Sequence, residues 1–97
     1  MKTEELLEQR ASVHGDALDQ FQVSQDLKKI FQTLLEGNDF YKQATWPEQC
    51  MINEGLDMTA TKLSRILVGD CTFDDHWRDI GGYNTIVANH FKKEEKK

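Results

Sequence analysis

Apolar residues recur at three- and four-residue steps between Asp16 and Gly37. An α-helix turns once every 3.6 residues, so these steps place the apolar side chains on one helix face. Asp16 is a favourable N-cap residue and Gly37 a common helix terminator, so the sequence predicts an amphipathic helix of about five turns. The apolar positions of this helix are Leu18, Phe21, Leu27, Ile30, Phe31, Leu34 and Leu35.

Two further helices are predicted in the second half of the chain. Pro47, the only proline, suits a first helical turn, and an apolar stripe then continues to Val68, just before Gly69. Gly55 interrupts this stripe, which predicts a close approach by a neighbouring helix. After a tight connection at residues 69–74, a last helix follows. Its apolar positions are Trp77, Ile80, Tyr83, Ile86, Val87 and Phe91.

The remaining segments complete the prediction of fold class. Residues 3–13 predict a short helix that stops at His14 and Gly15. Residues 37–46 hold three aromatic residues, so this loop is expected to pack back onto the helices. The charged residues 92–97 predict a frayed tail. No segment has the two-residue period of a strand, so all 97 residues are predicted to form one all-α domain, a compact bundle of about four helices.

Composition narrows the classes of function. The formal net charge is −5, and an acidic chain is a poor match for the phosphate backbone of nucleic acid. No run of about 20 apolar residues is present, and the acidic N-terminus does not resemble a signal peptide. Cys50 and Cys71 lie apart and form no paired zinc motif. These features predict a cytoplasmic protein that binds neither membranes nor nucleic acid.

The densest group of polar residues lies on the last two predicted helices. Four carboxylates stand there at helical spacings: Glu54, Asp57, Asp75 and Asp79. Two cations, Lys62 and Arg65, share roughly one face with the first pair. A short connection pairs the two helices antiparallel, so the carboxylates can hold Mg²⁺ while the cations bind phosphate oxygens. The alternative that these charges form an ordinary solvated surface remains open.

Aromatic and histidine residues leave more than one interpretation. Trp77 and Tyr83 have the helical spacing of core residues, although Trp77 or Phe21 can instead stack on a base. His14 precedes Gly15 and Asp16. It either belongs to a turn that ends one helix and begins the next, or contacts a ligand. No Ser or Cys adjoins a His in a nucleophile motif, which disfavours a serine or cysteine hydrolase.

Two runs in the second half, EGLDMTATKLSRILVGD and DDHWRDIGGYNTIV, carry the pattern K-x-x-R-I and then D-x-W-x-D-I-x-G-Y. The matching positions are Lys62, Arg65, Ile66, Asp75, Trp77, Asp79, Ile80, Gly82 and Tyr83. With the upstream HGDALDQF, this pattern resembles small phage and prophage proteins of the MazG-like, all-α nucleotide pyrophosphohydrolase-related group. The likeness covers most of residues 10–91.

One departure from that group concerns the spacing of the carboxylates. The wider superfamily carries E-x-x-E followed by E-x-x-D. This chain has Glu54-x-x-Asp57 and then Asp75 and Asp79 four apart. A step of four in place of three rotates a carboxylate by about 100° around the helix, which is enough to misplace a metal ligand.

The resemblance implies a dimer or higher oligomer in which acidic residues bind Mg²⁺ and a nucleoside triphosphate is cleaved between its α- and β-phosphates. It gives Asp79 and Glu54 catalytic roles, and Asp57 and Asp75 join them as metal ligands. The nucleotide contacts that it implies are Lys62, Arg65, Tyr83, Trp77 and His14. The first hypothesis is therefore a Mg²⁺-dependent nucleotide pyrophosphohydrolase or a degenerate nucleotide binder. The alternatives are a non-catalytic phage protein that inhibits a host protein or defence system, and oligomeric scaffolding through the aromatic residues at 39–46.

Overall fold

The computed structural model describes Thr3 and residues 15–95, with side chains as far as residue 92. Its helices are α1 (Ala17–Glu36), α2 (Asp39–Gln43), α3 (Trp46–Val68) and α4 (Asp74–Glu95). No strand occurs in this part of the chain, so the predicted all-α bundle is confirmed. None of these helices has the length and apolarity that crossing a membrane requires. The predicted helix at 3–13 lies, apart from Thr3, outside the described residues, and so does His14.

The long helices begin and end close to their predicted bounds. The Asp16 side chain accepts hydrogen bonds from two backbone N–H groups in the first turn of α1, and Gly37 ends that helix. α3 begins at Trp46, one residue earlier than predicted, because Thr45 is its N-cap. Thr45 and Glu48 form a capping box, in which each side chain bonds the other's backbone N–H. α4 continues to residue 95, through part of the predicted tail.

The segment at 37–46 differs from the prediction. It contains the short helix α2, which the sequence did not indicate. Tyr41 packs inward, since its hydroxyl accepts a 2.8 Å hydrogen bond from the Asn53 amide. Phe40 and Trp46 are 88% and 71% exposed. The expectation that these aromatic residues pack back onto the helices is therefore wrong for Phe40 and Trp46.

α3 lies between α1 and α4, which make no extensive contact with each other. The α3 residues that meet α4 follow one stripe: Glu48, Gly55, Thr59 and Lys62. Asn53 instead bonds Gln32 on α1. Positions two residues apart on a helix point about 200° apart. α1 and α4 therefore flank opposite sides of α3, and the three long helices lie side by side.

Gly55 marks the crossing of α3 and α4, as predicted. A Cβ atom at this position would stand 3.3 Å from Cγ2 of Val87, which is tighter than ordinary van der Waals contact. The missing side chain thus allows the two helices to approach closely.

The buried core is smaller than the sequence predicts. Ala60 and Ile66 are the buried apolar side chains in the described part of the chain. Several predicted core residues are exposed instead: Leu18, Phe21, Ile30, Leu34, Leu67, Trp77, Tyr83 and Ile86. Among the described helices, the side-by-side arrangement gives α1 and α4 one long-helix neighbour each, namely α3. Their apolar stripes are wider than one neighbour covers.

Candidate functional site

A polar groove of about 220 Å³ lies between α1 and α3. α1 lines it with Gln20, Phe21, Ser24, Gln25 and Lys28. α3 lines it with Thr61, Ser64 and Arg65. These lining residues include two cations and no carboxylate, although the whole chain has a net charge of −5. The groove is therefore a local exception to the acidic character of the protein.

Three polar residues on the inward stripes of the helices create this groove. Gln20 and Ser24 are buried on α1, and Ser64 is fully buried on α3. The Ser64 hydroxyl donates to the backbone carbonyl of Thr61 at 2.7 Å. Ser24 is 7% exposed, and its hydroxyl makes no hydrogen bond with another described residue. Ser24 lines the groove, and its hydroxyl is not among the fully buried polar atoms, so it can bond a ligand in the groove.

Arg65 and Lys28 supply the positive charge of the groove. Arg65 Nε donates to Oε1 of Gln20 at 3.4 Å, which links α3 to α1. Neither cation takes part in a salt bridge with any residue that the structure describes. After the stronger effect of Lys62, the charge of Arg65 also helps to lower the pKa of the Asp79 carboxyl, so Arg65 feels one carboxylate without bonding it. Guanidinium and ammonium groups suit phosphate oxygens, and both cations line the groove. The groove can therefore hold a phosphate.

Lys62 forms a salt bridge with Asp79 on α4 and does not reach the groove. The Lys62 Nζ lies 2.8 Å from Oδ2 of Asp79 and joins α3 to α4. The hydrogen bond from Lys62, and then its charge, hold the pKa of Asp79 below the usual value of 3.8. Lys62 is not among the residues that line the groove. A predicted phosphate contact and a predicted metal ligand thus neutralise each other.

The other predicted metal ligands do not converge. Glu54 and Asp75 are exposed, and Asp57 is half-buried. No three His, Cys, Asp or Glu side chains in the described part of the chain are grouped so that they could hold a metal ion. The described residues of one chain therefore do not assemble the set of oxygen ligands that Mg²⁺ requires. Mg²⁺ binding by Glu54, Asp57, Asp75 and Asp79 stays a prediction.

The predicted nucleotide contacts on α4 lie outside the groove. Trp77 Nε1 donates to the backbone carbonyl of Cys71 at 2.9 Å, so its polar edge serves the connection between α3 and α4. Tyr83 is 37% exposed on the same helix. His14 lies outside the described residues. Of the nucleotide contacts predicted from the resemblance, Arg65 lines the groove.

A larger cavity of about 340 Å³ lies at the N-terminal end of α3 and is lined by Thr45, Pro47, Glu48, Met51 and His90. The Glu48 carboxylate accepts hydrogen bonds from the Thr45 N–H and hydroxyl. Its other oxygen lies 2.9 Å from Nε2 of His90. These polar groups already cap α3 and join it to α4. The smaller groove has the stronger claim to a ligand, because Lys28 takes part in no salt bridge with a described residue and Ser24 makes no hydrogen bond with one.

Sequence reasoning missed most of the groove. The residues that it did not single out are Gln20, Ser24, Gln25, Lys28 and Ser64. A signal was present, because Gln20 and Ser24 stand at helical spacing on the stripe that continues with Leu27 and Phe31.

A comparison of the chain with protein-family models, curated proteins and solved structures finds no match.

Proposed function

We propose that this chain is a nucleotide-binding protein whose groove between α1 and α3 receives the phosphate of the ligand. The observation that carries this proposal is the pair of Lys28 and Arg65 in a groove whose described lining residues include no carboxylate. The hydroxyl of Ser24 adds a hydrogen-bonding group to this lining. The MazG-like resemblance supports a nucleotide over other phosphorylated compounds, and it supports a role as a phage accessory protein.

Replacement of Lys28 tests this proposal. Lys28→Gln removes one of the two charges, so the affinity for inorganic phosphate is expected to fall about ten- to a hundredfold, as for a lost charge-assisted hydrogen bond. Isothermal titration calorimetry measures this change. Lys29→Gln is the matched control, because it removes the same charge from an exposed position about 100° around the helix. Equal losses in the two variants would mean general charge attraction and would contradict the proposal.

Hydrolysis is a separate hypothesis that rests on the resemblance. Its test is incubation with Mg²⁺ and a panel of ribo- and deoxynucleoside triphosphates, followed by measurement of monophosphate and pyrophosphate. Products that disappear in Asp79→Asn would support a pyrophosphohydrolase. Unchanged turnover in that variant would remove the role assigned to Asp79. Absence of product with every substrate would leave binding as the function.

Exposed apolar side chains support a second proposal, that two copies of this chain associate. Large apolar side chains stand uncovered on the described helices, and contact with a second copy would remove their apolar area from water. A standard interface removes about 800 Å² from each partner.

One face of α1 suits this association. Ile30 and Leu34, one turn apart on α1, are 53% and 69% exposed. Ile30 follows the groove residue Phe21 by nine residues, which places it about 180° around the helix, and Leu34 lies about 9 Å further along α1 than Lys28. The apolar face, defined by Ile30 and Leu34, is thus separate from the groove, so a second copy can cover it and leave the groove open. A host protein as the occupant is the alternative outcome.

A further inference from the structure

An exposed aromatic ring borders the cationic groove. Phe21 lines the groove beside Lys28 and Arg65 and is 61% exposed. An uncovered phenyl ring leaves apolar area in water, which a flat ligand surface can remove. Phe21 is also next in sequence to Gln20, which bonds Arg65. The ring therefore belongs to the same site as the cations.

The order of groups along α1 matches the order of groups in a nucleotide. Phe21, Gln25 and Lys28 follow one another at four- and three-residue steps and share one side of the helix. Seven residues of helix span about 10.5 Å, so the ring and the ammonium group are based two turns apart. A nucleoside monophosphate has a flat base at one end, a phosphate at the other and a sugar between them. An amide such as Gln25 can bond the hydroxyls of the sugar.

The charges of the groove match a single phosphate group. A phosphate monoester carries a charge of about −1.5 to −2 at neutral pH. Lys28 and Arg65 together supply two positive charges, and the lining residues that the structure describes include no carboxylate that could hold a divalent cation. A triphosphate carries more negative charge than these two cations can neutralise. The groove is therefore suited to a monophosphate that arrives without a metal ion.

We infer that the groove binds a nucleoside monophosphate without Mg²⁺, with the base stacked on Phe21 and the phosphate held by Lys28 and Ser24. This inference rests on the proposed nucleotide-binding function and adds the ligand class and the role of Phe21. Arg65 contributes the second charge from the α3 side. Stacking on a phenyl ring accepts any base, so affinity for different nucleoside monophosphates should vary little.

The experiment is calorimetric titration in buffer that contains EDTA, with adenosine monophosphate, ribose 5-phosphate and inorganic phosphate as the three probes. The wild-type protein should bind adenosine monophosphate about five- to a hundredfold more tightly than ribose 5-phosphate, the range that base stacking on an aromatic side chain gives. Phe21→Ala should remove this difference and leave the affinity for inorganic phosphate unchanged. Phe21→Leu, which keeps an apolar side chain, should lose most of it as well.

Leu18→Ala is the matched control, because Leu18 is 76% exposed on the same helix but does not line the groove. It should bind all three probes like the wild type. Equal affinity of the wild type for adenosine monophosphate and ribose 5-phosphate would overturn the stacking role while leaving the phosphate site intact. Binding that appears only after Mg²⁺ replaces EDTA would overturn the metal-free class of ligand. Failure of every probe to bind would overturn the proposed function itself.

Discussion

Single polar residues within apolar stripes determine where the candidate site lies. Gln20 and Ser24 occupy buried positions on α1 where an apolar residue would extend the core, and Ser64 does so on α3. Burial of polar groups costs free energy unless a partner satisfies them. Gln20 has such a partner in Arg65, and Ser64 has one in the Thr61 carbonyl. Ser24 makes no hydrogen bond with another described residue, and its hydroxyl is open to the groove, where a ligand can bond it.

Replacement of Gly15 is expected to strain the backbone just before α1 and to destabilise the fold. It has φ of 85°, which favours glycine, and a Cβ atom there would stand 2.7 Å from the backbone oxygen of Val68. Gly15→Ala should therefore lower the free energy of unfolding by about 1 to 3 kcal/mol, as measured by urea denaturation. Gly37→Ala is the control, because its nearest neighbour is 3.8 Å away and its φ is negative. A Gly15→Ala protein as stable as the wild type would contradict this packing.

For the helices, the sequence predicted where each helix begins and ends better than it predicted which residues each helix face contacts. The ends of α1 could be predicted because capping is local: Asp16 and Gly37 act within a turn of their own positions. The prediction that two helices cross closely at Gly55 is also confirmed. It could be made from one residue, because the missing side chain permits the approach. Features that depend on residues within one turn of each other can therefore be predicted without knowledge of the fold.

The partners of each helix face could not be predicted in this way. An apolar stripe shows that Ile30 and Leu34 need cover, but it does not show whether this chain or another copy supplies it. The pairing of Lys62 with Asp79 likewise depends on how α3 and α4 cross. Periodicity alone placed both residues at a common site but could not reveal that they bond each other. Arg65 reached the groove because it stands on the α1 side of α3.

The link between α3 and α4 through Lys62 and Asp79 should make stability depend on pH. Lys62 lowers the pKa of Asp79 in the folded protein, so the pair stabilises the fold above the ordinary carboxyl pKa of 3.8. This contribution is lost as the pH falls through the lowered pKa. Urea unfolding should therefore show the wild type to be more stable than Asp79→Asn at neutral pH, with a difference that shrinks below about pH 4.

Asp75→Asn is the control for this comparison. Asp75 lies one turn earlier on the same exposed helix and takes no part in a salt bridge with any residue described by the structure. Its replacement should produce a smaller change with pH than Asp79→Asn. A stability difference between wild type and Asp79→Asn that stays constant from neutral to acidic pH would contradict the link.

For the whole molecule, the proposal that a second copy covers the apolar face predicts a dimer in solution. Light scattering coupled to size-exclusion chromatography should show a dimer for the wild type, and Leu34→Glu should shift it to monomer because a charge is then buried at the interface. Ile86→Glu is the control, since Ile86 is 65% exposed and lies on the Asp79 side of α4. A monomeric wild type would contradict self-association and assign the apolar face to a different partner.

The two faces should also act independently. Leu34→Glu leaves the groove residues untouched, because Leu34 lies about 9 Å further along α1 than Lys28, the last groove residue of that helix. Its affinity for phosphate-containing ligands should therefore match that of the wild type when both are titrated by calorimetry. A dimer-breaking variant that also loses the ligand would mean that a second copy contributes to the groove.

The central claim is that the groove between α1 and α3 is the ligand site, and a nitrogen-15 NMR titration with adenosine monophosphate in EDTA buffer tests it most directly. The account predicts that the backbone amide signals that move will belong to residues 20–28 of α1 and 61–65 of α3. Signals that move mainly around Lys42 or along α4 near Asp79 would contradict the claim, and so would a spectrum that does not change at a saturating ligand concentration.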